Sequence, residues 1–137
     1  MMRATFVVSV LALALSACGS TAPRDSADKF SGADKAVAAA VEGMETAARE
    51  DDPERLCTQL LSARLLETLE RQGTNCTTAV REAFKDASSK DLTVDDVTIS
   101  GDKATAKITS GTGSNEKSDT LQLEKAGAGW KIASLQS

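Results

Sequence analysis

The sequence predicts an α+β fold in which N-terminal helices pack on one face of a curved, four-stranded antiparallel sheet. Two observations predict it. Apolar residues recur at helical spacing up to about residue 87, and from Leu92 onward they alternate with polar residues as in a half-buried strand. Glycine-containing turns separate the alternating segments, which is typical of hairpins. Because helices and sheet each have one apolar side, we expect the helices to cover the sheet.

Composition favours a single domain and argues against several functions. The chain has 137 residues, with 16 Lys and Arg against 20 Asp and Glu and a net charge of −4. The charges are interspersed and form no basic stripe, so no nucleic-acid partner is predicted. Histidine and tyrosine are absent, which argues against catalysis by an imidazole or a phenol. No cofactor is predicted.

Residues 1–17 have the organisation of an export signal. Arg3 precedes an apolar run over residues 6–15, which is shorter than the roughly 20 residues that a membrane-spanning helix needs. The run leads into four residues that resemble the lipobox of bacterial lipoproteins: Leu15, Ser16, Ala17 and Cys18. That resemblance implies cleavage before Cys18, a diacylglycerol on its thiol, and an acyl chain such as palmitate on the new amine.

A lipidated Cys18 would hold the protein on the extracytoplasmic face of the cell membrane, because two or three acyl chains anchor stably. Residues 18–33 are predicted to be the lipidated N-terminus and a flexible tether, since they are polar and have little to bury. Residues 34–137 then form the single α+β domain of this cell-envelope protein.

The two other cysteines, Cys57 and Cys76, are predicted to form a structural disulfide, because an exported chain meets an oxidising compartment. Closing a loop of this size is worth about 3 kcal/mol in the chain-entropy model. A redox dithiol is less favoured, since that chemistry usually needs a Cys-x-x-Cys spacing. Two thiols without histidine supply only half of a zinc site, so no metal is predicted.

The first helix is predicted over residues 34–49, capped by Ser31 or Asp34. Its apolar stripe consists of Val37, Ala40, Val41, Met44 and Ala48. Pro53 is expected to open the next helix at its first position, directly after an aspartate N-cap.

That next helix contains two apolar groups on nearly opposite faces. The first group is Leu56, Cys57, Leu60 and Leu61, and the second is Leu65, Leu66 and Leu69. The conflict in phase means either that this helix is buried on several sides or that it breaks or bends near Ser62. A break or bend is favoured, because Ser62 could cap a second short helix ending before Gly73. Thr74 or Asn75 then caps a third stretch to about residue 87, with a stripe formed by Cys76, Val80, Ala83, Phe84 and Ala87.

The alternation in the C-terminal half predicts four strands in a meander. Leu92 and Val94 are out of phase with Val97 and Ile99, so a bulge or a strand start is expected at Asp95 and Asp96. Turns are predicted at residues 101–102, 111–115 and 127–129, and the last strand begins at Trp130.

This outline resembles small bacterial lipoproteins of the nuclear-transport-factor-two-like superfamily. The resemblance rests on residues 52–62 (Asp-Pro-Glu-Arg-Leu-Cys-Thr-Gln-Leu-Leu-Ser), the second cysteine, and the ending Gly129, Trp130, Lys131 and Ile132. It implies a cone-like fold in which Trp130 packs against the helices. Enzymes of the superfamily use tyrosine, histidine or a buried aspartate. Since two of these types are absent, no catalytic residue and no enzymatic activity are predicted.

Several acidic residues are candidate sites, but a structural or surface role is favoured for each of them. Asp51, Asp52 and Glu54 could contact calcium, but three local carboxylates fall short of the six to eight oxygens that calcium takes, so helix capping is favoured. Adjacent Asp95 and Asp96 would share a proton only across a bulge, and a solvated strand start is favoured. Two further acids, Asp119 and Glu124, are assigned to the solvent-facing surface.

Two functions remain open from the sequence. The first is a membrane-anchored binding or interaction module that meets an unknown envelope protein. The alternative is a carrier of a small apolar ligand or lipid in the cone, where Trp130 could line a pocket, although packing in the core is favoured for it. An enzyme that uses a buried carboxylate ranks last, because no inward-facing acid is predicted.

Overall fold

A computed structural model describes residues 26–86 and 90–136, apart from the side chains of residues 135 and 136. The proposed signal, Cys18 and Ala87 lie outside the described residues. In chain order the elements are a 3-10 turn (Ser26–Lys29), α1 (Gly32–Arg49), α2 (Pro53–Arg55) continued by a π-helical turn (Leu56–Leu60), α3 (Ala63–Arg71), α4 (Cys76–Ala83), β1 (Leu92–Ser100), β2 (Lys103–Ser110), a 3-10 turn (Gly113–Asn115), β3 (Lys117–Ala126) and β4 (Gly129–Gln136).

The four strands form one antiparallel sheet in the order β1-β2-β3-β4, and helices cover one of its faces. This confirms the predicted α+β fold class. The core lies between α1 and the inner face of the sheet, where Val37 and Val41 are fully buried and Leu121 and Leu123 are at most 2% exposed. The outer face carries polar side chains such as Thr105 and Lys107.

The turn Ser26–Lys29 packs on the domain, although it precedes the predicted start of the domain at Asp34. The Ser26 hydroxyl accepts a hydrogen bond from the Val94 amide at 3.1 Å and donates one to Glu42 Oε1 at 3.3 Å. The Ala27 amide donates to the same Glu42 oxygen at 2.5 Å. These contacts pin the N-terminal turn to both α1 and β1, so the C-terminal part of the predicted tether belongs to the domain.

Helix α1 begins at Gly32, whose φ of +59° suits glycine, and Ser31 occupies the N-cap position without a side-chain cap bond. The predicted stripe packs inward, with Ala40 and Met44 partly buried at its margin. The buried face is wider than predicted, because it also includes Ala38, Glu45 and Ala47.

The predicted break near Ser62 is confirmed. The Asp52 carboxylate accepts from the Arg55 amide at 3.0 Å, and Pro53 takes the first position of α2. After the π-helical turn, Leu61 becomes extended and pairs in parallel with Ile132 of β4. The Ser62 hydroxyl then accepts from the Leu65 amide at 3.2 Å and starts α3. The first apolar group therefore ends at the extended Leu61, and the second group belongs to a separate helix.

Helix α4 is shorter than predicted. Asn75 caps it through the Thr77 amide at 3.0 Å, as expected, but the helix ends at Ala83 rather than near residue 87. Val80 and Phe84 are buried four residues apart, whereas Ala83 is exposed although the sequence analysis placed it in the stripe.

Of the bulge and the strand start expected at Asp95 and Asp96, the structure shows the bulge, and the strand start favoured for these two residues is wrong. Strand β1 already begins at Leu92, and the register between β1 and β2 shifts between Val94 and Asp96. As a result, Val97 lies opposite Ala106 and Ile99 opposite Ala104, on the same inner face as Val94. The bulge therefore brings both apolar pairs of β1 to the core side despite their opposite phases in sequence.

Candidate functional site

An apolar cleft of about 500 Å³ lies between the inner face of the sheet and helices α3 and α4. Its sheet-side wall is formed by Leu92, Ile108, Leu121 and Ile132, together with Met44 and Ala48 of α1. Each of the four sheet residues is at most 4% exposed. They belong to the close-packed core, so this wall is expected to be rigid.

The helix-side wall is packed much less tightly. It is formed mainly by Leu65, Leu69, Ala79, Val80, Ala83 and Phe84. None of the residues of α3 is buried, and Leu65 and Leu69 are only half-buried. Few buried apolar contacts mean a low local stability, so we expect α3 to move more easily than the sheet.

The predicted disulfide between Cys57 and Cys76 is present and holds the base of this wall. Its S–S distance is 1.99 Å and the two Cα atoms are 6.1 Å apart. The bond joins the π-helical turn after α2 to the first residue of α4, so α3 and its two flanking loops form a closed covalent loop. As members of a disulfide, the two sulfurs are neither free thiols nor thiolate ligands for zinc.

One end of the cleft is polar. Ser110, Lys117, Asp119 and Asp86 line it. The Ser110 hydroxyl is buried and donates to the Lys117 carbonyl oxygen at 3.4 Å. The cleft therefore combines an apolar interior with a charged end, which is the layout of a site that orients an amphipathic molecule.

The assignment of Asp119 to the solvent-facing surface is wrong. Asp119 lies opposite Ile108 in the register of β2 and β3, and it is two residues from Leu121, so its side chain is on the inner face. Glu124, which was assigned to the same surface, does lie on the outer face, because it follows the buried Leu123. The parity with Leu121 was the signal in the sequence that could have identified Asp119 as an inward-facing acid.

Trp130 packs in the core and does not line the cleft. It is 8% exposed and lies on the inner face two residues before Ile132. Of the two roles weighed for Trp130, the structure therefore shows core packing.

The remaining acidic candidates do not form a common site. Asp51 is exposed with a φ of +53°, Asp52 caps α2, and Glu54 is exposed. Across residues 26–86 and 90–136, no three acidic or cysteine side chains are grouped closely enough to hold a metal ion. In the bulge, Asp95 accepts from the Thr109 hydroxyl at 2.7 Å, while Asp96 lies opposite Lys107.

The sequence analysis missed a buried carboxylate, Glu45 in α1. It is 1% exposed, and its Oε1 accepts from Arg49 Nε at 3.0 Å and Nη2 at 2.8 Å. Burial raises the pKa of Glu45, and the Arg49 guanidinium and a hydrogen bond with the Leu92 backbone oppose that rise. The signal in the sequence was its spacing, four residues after the buried Val41 and four before an arginine.

A second depression, of about 290 Å³, lies over the polar outer face of the sheet. Arg64, Thr98, Thr105 and Gln122 are among the residues that line it. It is smaller than the apolar cleft and has no buried wall of comparable size, so the cleft is the stronger candidate site.

None of the helices that the structure describes combines the length and the hydropathy needed to cross a bilayer.

No family model and no curated protein matches the sequence. Among solved structures, the chain is similar to a de novo designed NTF2 fold protein, NT-9, with a TM-score of 0.53 and 12% sequence identity. The match covers 77% of this chain and 87% of the designed protein. At this identity the similarity concerns the fold alone, and the chain carries a domain with the nuclear-transport-factor-two-like fold, built as helices on a curved sheet.

Proposed function

We propose that this domain binds a small, largely apolar molecule in the cleft between the sheet and helices α3 and α4, as a binding protein or carrier. The cleft itself carries the proposal. Its volume of about 500 Å³ lies inside the range of roughly 300–1,000 Å³ that is usual for small-molecule sites. Its walls are mostly aliphatic, so the main driving force would be the removal of apolar ligand surface from water.

The two walls have complementary roles in this proposal. The sheet side would give the ligand a preformed surface, because Ile108 and Leu121 are held in the core. The half-buried leucines of α3 would adjust to ligand size and allow access. The disulfide would keep α4 attached to the rest of the domain while α3 moves.

Binding is favoured over catalysis by the inventory of side chains. The chain has no histidine and no tyrosine, and Asp119 is a carboxylate that the register of the sheet places on the inner face beside the aliphatic wall of the cleft. A carboxylate beside aliphatic walls can orient a ligand, but an acid–base reaction generally needs a second positioned group.

We further propose that the protein is a lipoprotein anchored through Cys18 at the extracytoplasmic face of the membrane. The support for this part is the sequence, namely the apolar run over residues 6–15 and the lipobox-like residues that end at Cys18. A membrane location would place the cleft close to a source of apolar molecules. A protein partner in the envelope is the second candidate, and it gains weight if the cleft proves unable to hold a small molecule.

Titration of the purified full chain with N-phenyl-1-naphthylamine, an apolar dye that fluoresces in dry surroundings, tests the cleft. We expect saturable binding of one dye per chain. Ala83→Phe should weaken it about tenfold, because the added ring takes the place of two or more ligand methylenes worth about 0.8 kcal/mol each. Ala83 is exposed and lines the cleft, so the ring has room to enter.

Glu82→Phe is the matched control, since Glu82 is the exposed neighbour in α4 and does not line the cleft. We expect this variant to bind the dye like the unaltered chain. Absence of saturable binding by the unaltered chain, or an equal loss in both variants, would contradict the proposed function.

A further inference from the structure

We propose that the ligand of the cleft is an amphiphile whose head group is an amine, held by Asp119 at the polar end of the cleft. This inference rests on the proposed function and adds the chemical class of the ligand. The juxtaposition of one inward-facing carboxylate with an aliphatic wall is the observation that carries it.

The register of the sheet places the polar and apolar rows side by side. Lys117 lies opposite Ser110, and Asp119 lies opposite Ile108, while Leu121 continues the same face. Residues two apart in a strand are separated by about 7 Å. A molecule whose head group contacts the Asp119 carboxylate can therefore place its apolar body against Leu121, the next residue on the same face of β3.

The Asp119 carboxylate is available for a ligand. It is only partly buried, and within the described part of the chain its side chain forms no hydrogen bond or ion pair. An ammonium group at this position would gain a charge-assisted hydrogen bond, which is stronger than a neutral one. The aliphatic walls would strengthen it further, because they exclude water from one side of the contact.

The placement of charge at this end favours a cation over an anion. Asp119 lies next to Leu121 on the inner face of β3, whereas Lys117 lies one step further from the apolar wall and is exposed. An anionic head group would meet Asp119 at short range, and like charges at such distances repel. A fatty acid is therefore expected to bind more weakly than the amine of the same chain length.

A series of ligands with one tail and three head groups tests this inference. Dodecylamine, dodecanol and dodecanoate are titrated against the full chain by displacement of N-phenyl-1-naphthylamine at neutral pH, with the two ionic ligands below their micelle concentrations and dodecanol below its solubility limit. We expect dodecylamine to bind about tenfold more tightly than dodecanol, because its ammonium group would form a partly exposed, charge-assisted hydrogen bond with the Asp119 carboxylate. Dodecanoate should bind most weakly.

Asp119→Asn keeps the shape of the side chain and removes its charge, so the preference for dodecylamine over dodecanol should disappear while dodecanol binds as before. Glu124→Gln removes a charge from the outer face of the same strand and should leave all three affinities unchanged. Equal binding of the three ligands, or an amine preference that survives Asp119→Asn, would overturn the head-group inference and leave the apolar cleft standing. Failure of all three ligands and of the dye would contradict the proposed function as well.

Discussion

At the scale of single residues, the pair formed by Glu45 and Arg49 ties the first helix to the first strand. The Glu45 carboxylate is almost completely buried and accepts from the Arg49 guanidinium, which is 28% exposed. Arg49 also lies 3.8 Å from the Asp91 carboxylate at the start of β1. A buried carboxylate is costly unless it is paired, so the arginine is needed chiefly because the glutamate is there.

Arg49→Met should therefore destabilise the fold by about 2–3 kcal/mol at pH 7, slightly below the usual cost of breaking a buried pair because Arg49 is partly exposed. Urea unfolding followed by circular dichroism gives this value. Arg64→Met is the control, because Arg64 is exposed and forms no ion pair among the described residues, and we expect it to change stability by less than about 0.5 kcal/mol.

The loss in the free energy of unfolding caused by Arg49→Met should also depend on pH. Burial already raises the pKa of Glu45 above its ordinary value of 4.5, and loss of the guanidinium removes a group that lowers it. A carboxyl whose pKa is raised in the folded state binds its proton more tightly there than in the unfolded chain, so its contribution to stability grows as the pH falls. The difference between the variant and the unaltered chain should shrink from pH 7 to pH 4. A constant difference would show that Glu45 does not titrate as the burial implies.

Residue-scale features were predictable where the chemistry is local. The caps at Asp52, Ser62 and Asn75 follow from the side chain and its neighbours within three residues. Glu45 and Asp119 were missed although their spacing placed both on apolar faces, because acidic residues were taken to be exposed.

At the scale of elements, helices α3 and α4 are packed much less tightly than α1. Residues of α3 are exposed or half-buried, and α4 buries Val80 within its length and Phe84 at its end. The covalent link between Cys57 and Cys76 compensates for this sparse packing. It closes a loop with a sequence separation of 19 residues around α3.

Replacing both cysteines, Cys57→Ser together with Cys76→Ser, should lower the free energy of unfolding by about 3 kcal/mol, the value expected for a loop of this length. Hydrogen exchange should accelerate most in α3 and α4, since the sheet keeps its own packing. Cys18→Ser serves as the control and should change neither quantity. Uniformly faster exchange across the sheet would contradict the view that the disulfide acts on this wall of the cleft.

Irregularities within helices and strands could be predicted where the periodic pattern of apolar residues changes phase. The break at Ser62 and the bulge at Asp95 both follow from such changes. The turn at Ser26–Lys29 could not be predicted, because its hydrogen bonds join residues 15 to 68 positions apart and no local pattern reports them. The early end of α4 was also missed, since helix ends are the least certain part of a periodic pattern.

At the scale of the whole molecule, the cleft lies between two layers that differ in packing. Its sheet-side residues, such as Leu121, are deeply buried, while Leu65 and Leu69 of α3 are only half-buried. The sequence predicted the layers correctly, but the space between them depends on how α3 and α4 are placed relative to the sheet. That placement follows from packing across the whole chain rather than from any one segment.

The proposed membrane anchor is also a property of the whole molecule. Expression of the full chain in a bacterial host with an alkyne analogue of palmitate should label the protein, because a lipidated Cys18 carries acyl chains. Cys18→Ser should abolish the label. The double serine variant at Cys57 and Cys76 should retain it, which separates lipidation at position 18 from thiol chemistry elsewhere. An unlabelled wild-type chain, or equal labelling after Cys18→Ser, would contradict the anchor.

The hydrogen bonds that pin Ser26 to Glu42 and Val94 set the radius within which an anchored domain could work. Residues 18 and 26 are eight peptide links apart, and a fully extended chain spans at most about 3.5 Å per residue, so the leash could not exceed about 28 Å. For a Cys18-anchored protein, Ser26 and the parts of α1 and β1 that it contacts would thus stay within about 28 Å of the lipidated residue. The anchored domain would bind ligands only within a layer close to the bilayer, and the bilayer itself would supply apolar molecules.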